Sequence, residues 1–144
     1  MTLITKNTDY ATRALIYLAR AGERYVPSRE ISEKEGIPLN FLRRIIRELA
    51  REKLVETREG KAGGARLVVP GNKIELTRLI EIFQGKVSLL ECIFRRKICP
   101  NRARCVLRAR IKKIEDLVLG ELAGITVGGL VKDIEEQNDE AKDN

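Results

Sequence analysis

Between Ser28 and Lys53 the chain reads SREISEKEGIPLNFLRRIIRELAREK, and no other stretch limits the fold as strongly. A short helix is expected from Ser28, behind Pro27, to Gly36, a residue suited to a helix C-terminus. GIPLN then makes a tight turn, and a second helix is expected from about Leu39 to Lys53. Helix, Gly-containing turn, helix is the helix-turn-helix pattern. The second helix carries two stripes at the same i, i+3, i+4, i+7 spacing. Leu42, Ile45, Ile46 and Leu49 form an apolar face for packing, while Asn40, Arg43, Arg44 and Arg47 point elsewhere with one amide and three guanidinium groups. A helix that reads a DNA groove needs both faces, one to fix it and one to project donors. An ordinary amphipathic helix with a solvated basic side would show the same spacing.

The segments on either side fit a reader of this kind. Upstream, Ala11, Ala14, Leu15, Leu18 and Ala19 recur at helical spacing, with Thr8 as the expected N-cap and Gly22 as the stop. Downstream, LVETR and RLVV are short β-type runs joined by the Gly-rich EGKAGGA. A hairpin just after the reading helix is the wing of a winged helix-turn-helix, although a plain surface hairpin would look similar. Glycines let its tip approach a phosphate backbone closely, and Lys61 adds charge. Leu76, Leu79, Ile80 and Phe83 mark a further helix closed by Gly85. Leu107, Ile111, Ile114, Val118 and Leu122 then run along a long helix ending at Gly124. That narrow seam could pack on its own domain or against a second chain, and pairing is favoured. ITVGGLVKDI is expected to form one last short element.

The charge balance points the same way. The chain of 144 residues has a net charge of +7, but residues 132–144 hold six acids and two bases. Residues 1–131 therefore carry 26 bases and 15 acids, or +11. A body that basic suits an anionic partner, nucleic acid first, and the acidic tail is expected to be disordered. Hydrophobic residues, at 43%, suffice for one core. No apolar run approaches a membrane span, and the N-terminus lacks the stages of a signal peptide. A cytoplasmic protein with reduced thiols is expected.

All three cysteines, Cys92, Cys99 and Cys105, fall in or directly beside the most positive segment: Ile93 through Lys113 holds nine Arg and Lys and no carboxylate. An odd number of thiols is a poor disulfide framework. Metal binding, redox chemistry or an inert packing role remain. The C-x6-C-x5-C gaps exceed those of paired zinc ligands but suit a loop around an iron–sulfur cluster, whose ligands bind separate irons. A fourth ligand would have to be something other than histidine, which the chain lacks. Basic neighbours in general favour the thiolate, the metal-binding form. No phosphate-cradling loop, histidine base or catalytic carboxylate pair is present, so an enzyme is not expected. A cluster-bearing electron carrier would lack sequence-dependent DNA affinity.

Taken together, DYATRALIYLA, GIPLNFLRRIIREL, the Gly63–Gly64 wing and three cysteines before a long helix resemble the Rrf2 family of bacterial transcription regulators. The resemblance runs from about Thr5 to Leu130. It implies a mostly α fold with a small β-hairpin wing: a winged helix-turn-helix domain over residues 1–84, a cysteine loop over 85–106, and a dimerisation helix with a short element over 107–131. Residues 132–144 would be the tail. It also implies a homodimer on double-stranded DNA, with an iron–sulfur cluster that senses redox state, nitric oxide or iron–sulfur status. Cys92, Cys99 and Cys105 would be ligands. Asp9, matching an aspartate that one branch contributes across the dimer, would be the fourth ligand of a [4Fe–4S] cluster. A [2Fe–2S] cluster with another carboxylate, Glu91, is the runner-up. A cofactor-free regulator switched by cysteine oxidation or a protein partner is the alternative. The wing departs from the family's common Arg-Gly…Gly-Gly-Tyr: Glu59 precedes Gly60 and Ala65 replaces the aromatic, leaving Arg58, Lys61 and Arg66 to supply grip. The first cysteine gap is one residue longer, which bears on cluster type. In such a regulator Asn40, Arg43 and Arg44 would reach base edges. Ser28, Arg47, Lys61 and the Gly63 and Gly64 amides would hold phosphates.

Overall fold

The computed structural model describes residues 2–94 and 97–142, so Arg95 and Arg96 of the basic segment and the last two residues of the tail lie outside it. Three helices open the chain: α1 (Lys6–Ala21), α2 (Ser28–Glu35) and α3 (Leu39–Arg51). A two-stranded antiparallel hairpin follows, β1 (Val55–Arg58) and β2 (Gly64–Leu67), in the register Val55↔Leu67 to Arg58↔Gly64. Helix α4 (Leu76–Gln84) comes next, then a second small hairpin of β3 (Ile93–Phe94) and β4 (Lys97–Ile98). The long helix α5 (Val106–Ala123) and a final helix α6 (Val127–Lys142) complete the chain. This is the mostly α architecture with a hairpin wing that the periodicities predict.

The core forms where the apolar stripes of α1, α2 and α3 meet. Ala11, Ala14, Leu15, Leu18, Ile31, Leu42 and Leu49 are completely buried there. The small alanines of α1 let α3 approach closely, and the leucines fill the space between them. Gly36 ends α2 in the left-handed conformation, and Ile37 after it is buried, so the turn into α3 is fixed by packing as well as by backbone. On the wing side, Val26 pairs with Ala65 through two backbone hydrogen bonds of 2.8 and 2.9 Å. The segment before α2 thus acts as a third strand on β2.

Two expectations need correction. Thr5, not Thr8, is the N-cap of α1. Thr8 lies inside the helix, fully buried, and its hydroxyl donates to Gln84 Oε1 at the end of α4. The Thr5 amide donates to the same oxygen at 2.9 Å, and Gln84 Nε2 donates to Leu3 O at 3.1 Å. A distant amide side chain thus satisfies groups that a local cap would otherwise serve.

Second, the tail expected to be disordered is helical to Lys142, and the short element expected before it is the first part of the same helix. Thr126 Oγ1 accepts from Gly129 N–H at 3.0 Å, Val127 is buried in the core, and Lys132 pairs with Glu136 one turn on. A capped, anchored start and helix-favouring residues propagate a helix that its charge alone does not forbid. The start of α6 packs on α1 and on the single 3-10 turn Gly71–Lys73, where Gly128 lies so close to Asn72 that a Cβ would collide. The chain returns to the body through Leu76 N–H to Ile125 O (2.8 Å) and Val127 N–H to Ile74 O (2.9 Å).

Candidate nucleic-acid interface and cysteine segment

Helix α3 presents the two faces its sequence requires. Leu42, Ile45, Ile46 and Leu49 are buried, while Asn40, Arg43, Arg44 and Arg47 are all exposed. Phe41 also faces outward and carries the Arg44 guanidinium 4.6 Å above its ring. Sequence reasoning passed over Phe41, though an aromatic one residue outside the apolar stripe was the available signal. Arg44 and Arg47 border a shallow cleft with Asn7 of α1 and Phe83 of α4. Ser28 opens α2 behind Pro27, which has no capping side chain to offer the first amides.

The wing is built more tightly than its glycines suggest. The Gly63 amide already donates to Gly60 O at 3.0 Å, and Gly63 is buried. The expectation that this amide holds a phosphate is therefore corrected: the hairpin turn uses it. Gly64 has a positive φ of 147°, and a Cβ there would run into the Val26 carbonyl. Its role is close backbone approach. Lys61 remains exposed at the tip. On the outer face, Glu56 stands opposite Arg66 and pairs with it. The Tyr25 hydroxyl donates to the same carboxylate at 2.8 Å. Tyr25 and Arg66 together hold the Glu56 carboxyl below the usual carboxylate range. The Arg58 and Arg66 guanidinium groups lie over the Tyr25 ring, at 4.1 and 4.8 Å. Arg58 Nη2 also donates to Ala62 O at 2.8 Å.

A second ionic knot joins α1 to α2. Glu30 accepts from both Arg24 nitrogens, at 2.7 and 3.0 Å, and from the Tyr17 hydroxyl at 2.8 Å. Those bonds, Arg24 first, lower its pKa to about 2. Arg13 of α1 donates to Glu35 O at the end of α2 and pairs with Asp9 at 3.5 Å.

The structure explains part of the cysteine spacing. Cys99 N–H donates to Cys92 O at 2.7 Å, extending the β3–β4 register by one pair. Directly opposed residues share a face, so Cys92 and Cys99 sit side by side at the root of the small hairpin. Cys105 is the N-cap of α5, its Sγ accepting from Arg108 N–H at 3.4 Å. All three thiols are free and half-buried. Soft thiolate donors of this kind suit iron chemistry. Cys92 and Glu91 border an open cleft of about 640 Å³ with Ile98, Arg102, Arg108 and Lys112. Among the described residues of one chain, no three Cys, Asp or Glu side chains converge into a metal-holding group. Cys92, Cys99 and Cys105 are therefore not gathered into a ligand set within one chain, and Asp9 is exposed on α1.

Fold, basic reading helix and wing define a winged helix-turn-helix DNA-binding protein. Comparison with known proteins agrees: the family model for Rrf2, iron-dependent transcriptional regulator, matches residues 4–133. The chain is 35% identical over 130 residues to protein aau3 of Rhizobium meliloti strain 1021, covering 90% of this chain and 84% of that protein. It is 31% identical over 130 residues to the HTH-type transcriptional repressor NsrR of Streptomyces coelicolor, covering 89% and 87%. Its fold matches the structure of CymR (YrzC), the global cysteine regulator of B. subtilis, with a TM-score of 0.73 at 22% identity, covering 92% and 98%. The chain belongs to the Rrf2 family. It is a DNA-binding transcription regulator, not an enzyme. Among the described residues, no helix is long and apolar enough to cross a membrane.

Proposed function

We propose that this chain works as a homodimer whose DNA affinity is set by an iron–sulfur cluster held by Cys92, Cys99 and Cys105. The observation that carries the reading is the placement of three free, half-buried thiols in one basic segment between the winged body and α5. Asp9 of the partner subunit is the proposed fourth ligand of a [4Fe–4S] cluster, favoured over [2Fe–2S] with Glu91. In support, Asp9 is exposed, and among the described residues its carboxylate pairs with Arg13 alone, at 3.5 Å. A bound cluster would supply iron and sulfide that react with oxidants or nitric oxide.

The chain's own residues do the rest. The exposed apolar seam of α5 pairs two subunits, which suits two DNA half-sites. Asn40, Arg43 and Arg44 donate to base edges in the major groove, and Ser28, Arg47 and Lys61 hold phosphates. Cys105 starts α5, so a change at the thiols moves the helix that sets the distance between the two reading helices.

Protein purified without oxygen should hold about four irons and four sulfides per subunit and absorb broadly near ~400 nm. No iron after attempted reconstitution overturns the cluster reading. One observation then favours a second reading: Cys92 lies directly opposite Cys99, within the backbone spacing a disulfide spans. A Cys92–Cys99 disulfide formed by iron-free protein under mild oxidation would mark a cofactor-free thiol switch on the same dimer.

A further inference from the structure

We infer that Tyr25 is a positioning residue for the wing, holding Arg58 and Arg66 in place for the DNA backbone and the groove beside each half-site. The inference rests on the DNA-reading function proposed above and adds a residue outside the reading helix and the hairpin.

Strand alternation places Tyr25 there. Val26 points inward, buried against Ala65, so its neighbour Tyr25 points to the outer face. The same alternation puts Glu56 and Arg58 of β1, and Arg66 of β2, on that face. The Arg58 and Arg66 guanidinium groups then lie over the ring, 4.1 and 4.8 Å from its centroid. A guanidinium over an aromatic ring at such a distance is attracted by the ring's electrons. The phenol is itself fixed, because its hydroxyl donates to Glu56, which also binds Arg66. Arg58 has a third constraint, its bond to the Ala62 carbonyl in the hairpin turn.

Arg58 remains exposed despite these contacts. An arginine that is fixed yet solvent-facing loses less side-chain freedom when it meets an anion. The wing itself offers no aromatic for this purpose, since Ala65 is buried inward. The chain just before α2 supplies one instead. Arg24 and Lys61 border the same cleft with Glu23 and Glu30, so four bases, the held arginines included, face two acids there.

The test uses full-length protein and the duplex that wild type selects most strongly from a random pool of DNA. Tyr25→Leu should weaken binding to that duplex by about tenfold, the scale expected when two arginines must be ordered on binding. Selection repeated with the variant should lose preference at positions flanking the half-sites and keep it within them. Tyr25→Phe, which keeps the ring, should recover most of the loss. In an Arg58→Gln, Arg66→Gln background, Tyr25→Leu should cost little more, because its effect runs through those side chains. Additive losses in that cycle, or unchanged affinity and flank preference in Tyr25→Leu, would overturn the inference. If Tyr25→Leu unfolds, Tyr25→Phe and the arginine pair decide: equal loss for Phe and for the arginine variant also overturns it. Arg43→Ala separates the two levels. Should it lose base preference while Tyr25→Leu changes nothing, only the Tyr25 inference fails. Should wild type enrich no sequence at all, the DNA-reading function fails with it.

Discussion

Helix α1 buries Ala11, Ala14, Leu15 and Leu18 completely, whereas α5, two residues longer, buries only Leu122. On α5, Val106 is 81% exposed, Leu107 58%, Leu117 72% and Ile114 49%. Both helices carry apolar residues at helical spacing, so periodicity alone does not separate them. They differ in what faces the stripe. The stripe of α1 meets α3, α4, α6 and the wing. That of α5 meets α4 over a short stretch and leaves Val106, Leu107, Ile114 and Leu117 exposed. The body satisfies itself, while the cysteine-bearing arm leaves much of its apolar face exposed within its own chain. In a family of DNA-binding regulators, the fitting reading is a second copy of the same arm.

This contrast can be broken or sharpened by experiment. The largest effect is expected in the body: Leu15→Ala should lower its unfolding free energy by about 2–5 kcal/mol, measured in urea. Gln84→Ala comes next. It leaves the Thr8 hydroxyl buried without its main acceptor and frees Leu3 and Thr5, at a cost of about 1–3 kcal/mol. A variant as stable as wild type would show that the knot at the end of α4 belongs to the arm, not the body.

Glu30→Gln should cost about 1 kcal/mol near neutral pH, a modest figure because Arg24 is largely solvent-exposed. The folded pKa lies below the unfolded value, so this contribution is full above the ordinary pKa of 4.5 and fades as pH falls toward about 2. The variant's stability should accordingly converge on wild type in that acid window. The smallest effect on folding is expected from Leu117→Asp, no more than about 0.5 kcal/mol on the body. Its reading is different: sedimentation should shift from dimer to monomer. A loss as large as that of Leu15→Ala would mean that α5 packs on its own body.

What could be read from the sequence follows from how local each cause is. The turn GIPLN, the two stripes of α3 and the stop at Gly85 depend on neighbours within a few residues, and each lies where the pattern puts it. Thr8 was misread because a threonine near a helix start looks like a cap, while its partner Gln84 is remote in sequence. The tail was misread because net charge hides the effect of a capped, buried first turn. Tyr25 beside two arginines depends on three segments meeting, which no spacing records. At the thiols, clustering and basic surroundings were legible, but the facing of Cys92 and Cys99 required the register of a hairpin.

The two hydrogen bonds that join Ile74 and Leu76 to Ile125 and Val127 also have a consequence for how such a chain can change. They close the segment carrying α4, the thiols and α5 into a loop with a fixed root. The entropy of closing a loop grows only with the logarithm of its length, by about 0.6 kcal/mol per doubling. Residues can therefore be inserted or deleted near the cysteines at little cost to the winged body. The cysteine-bearing arm can change in length and sequence while the winged body stays folded.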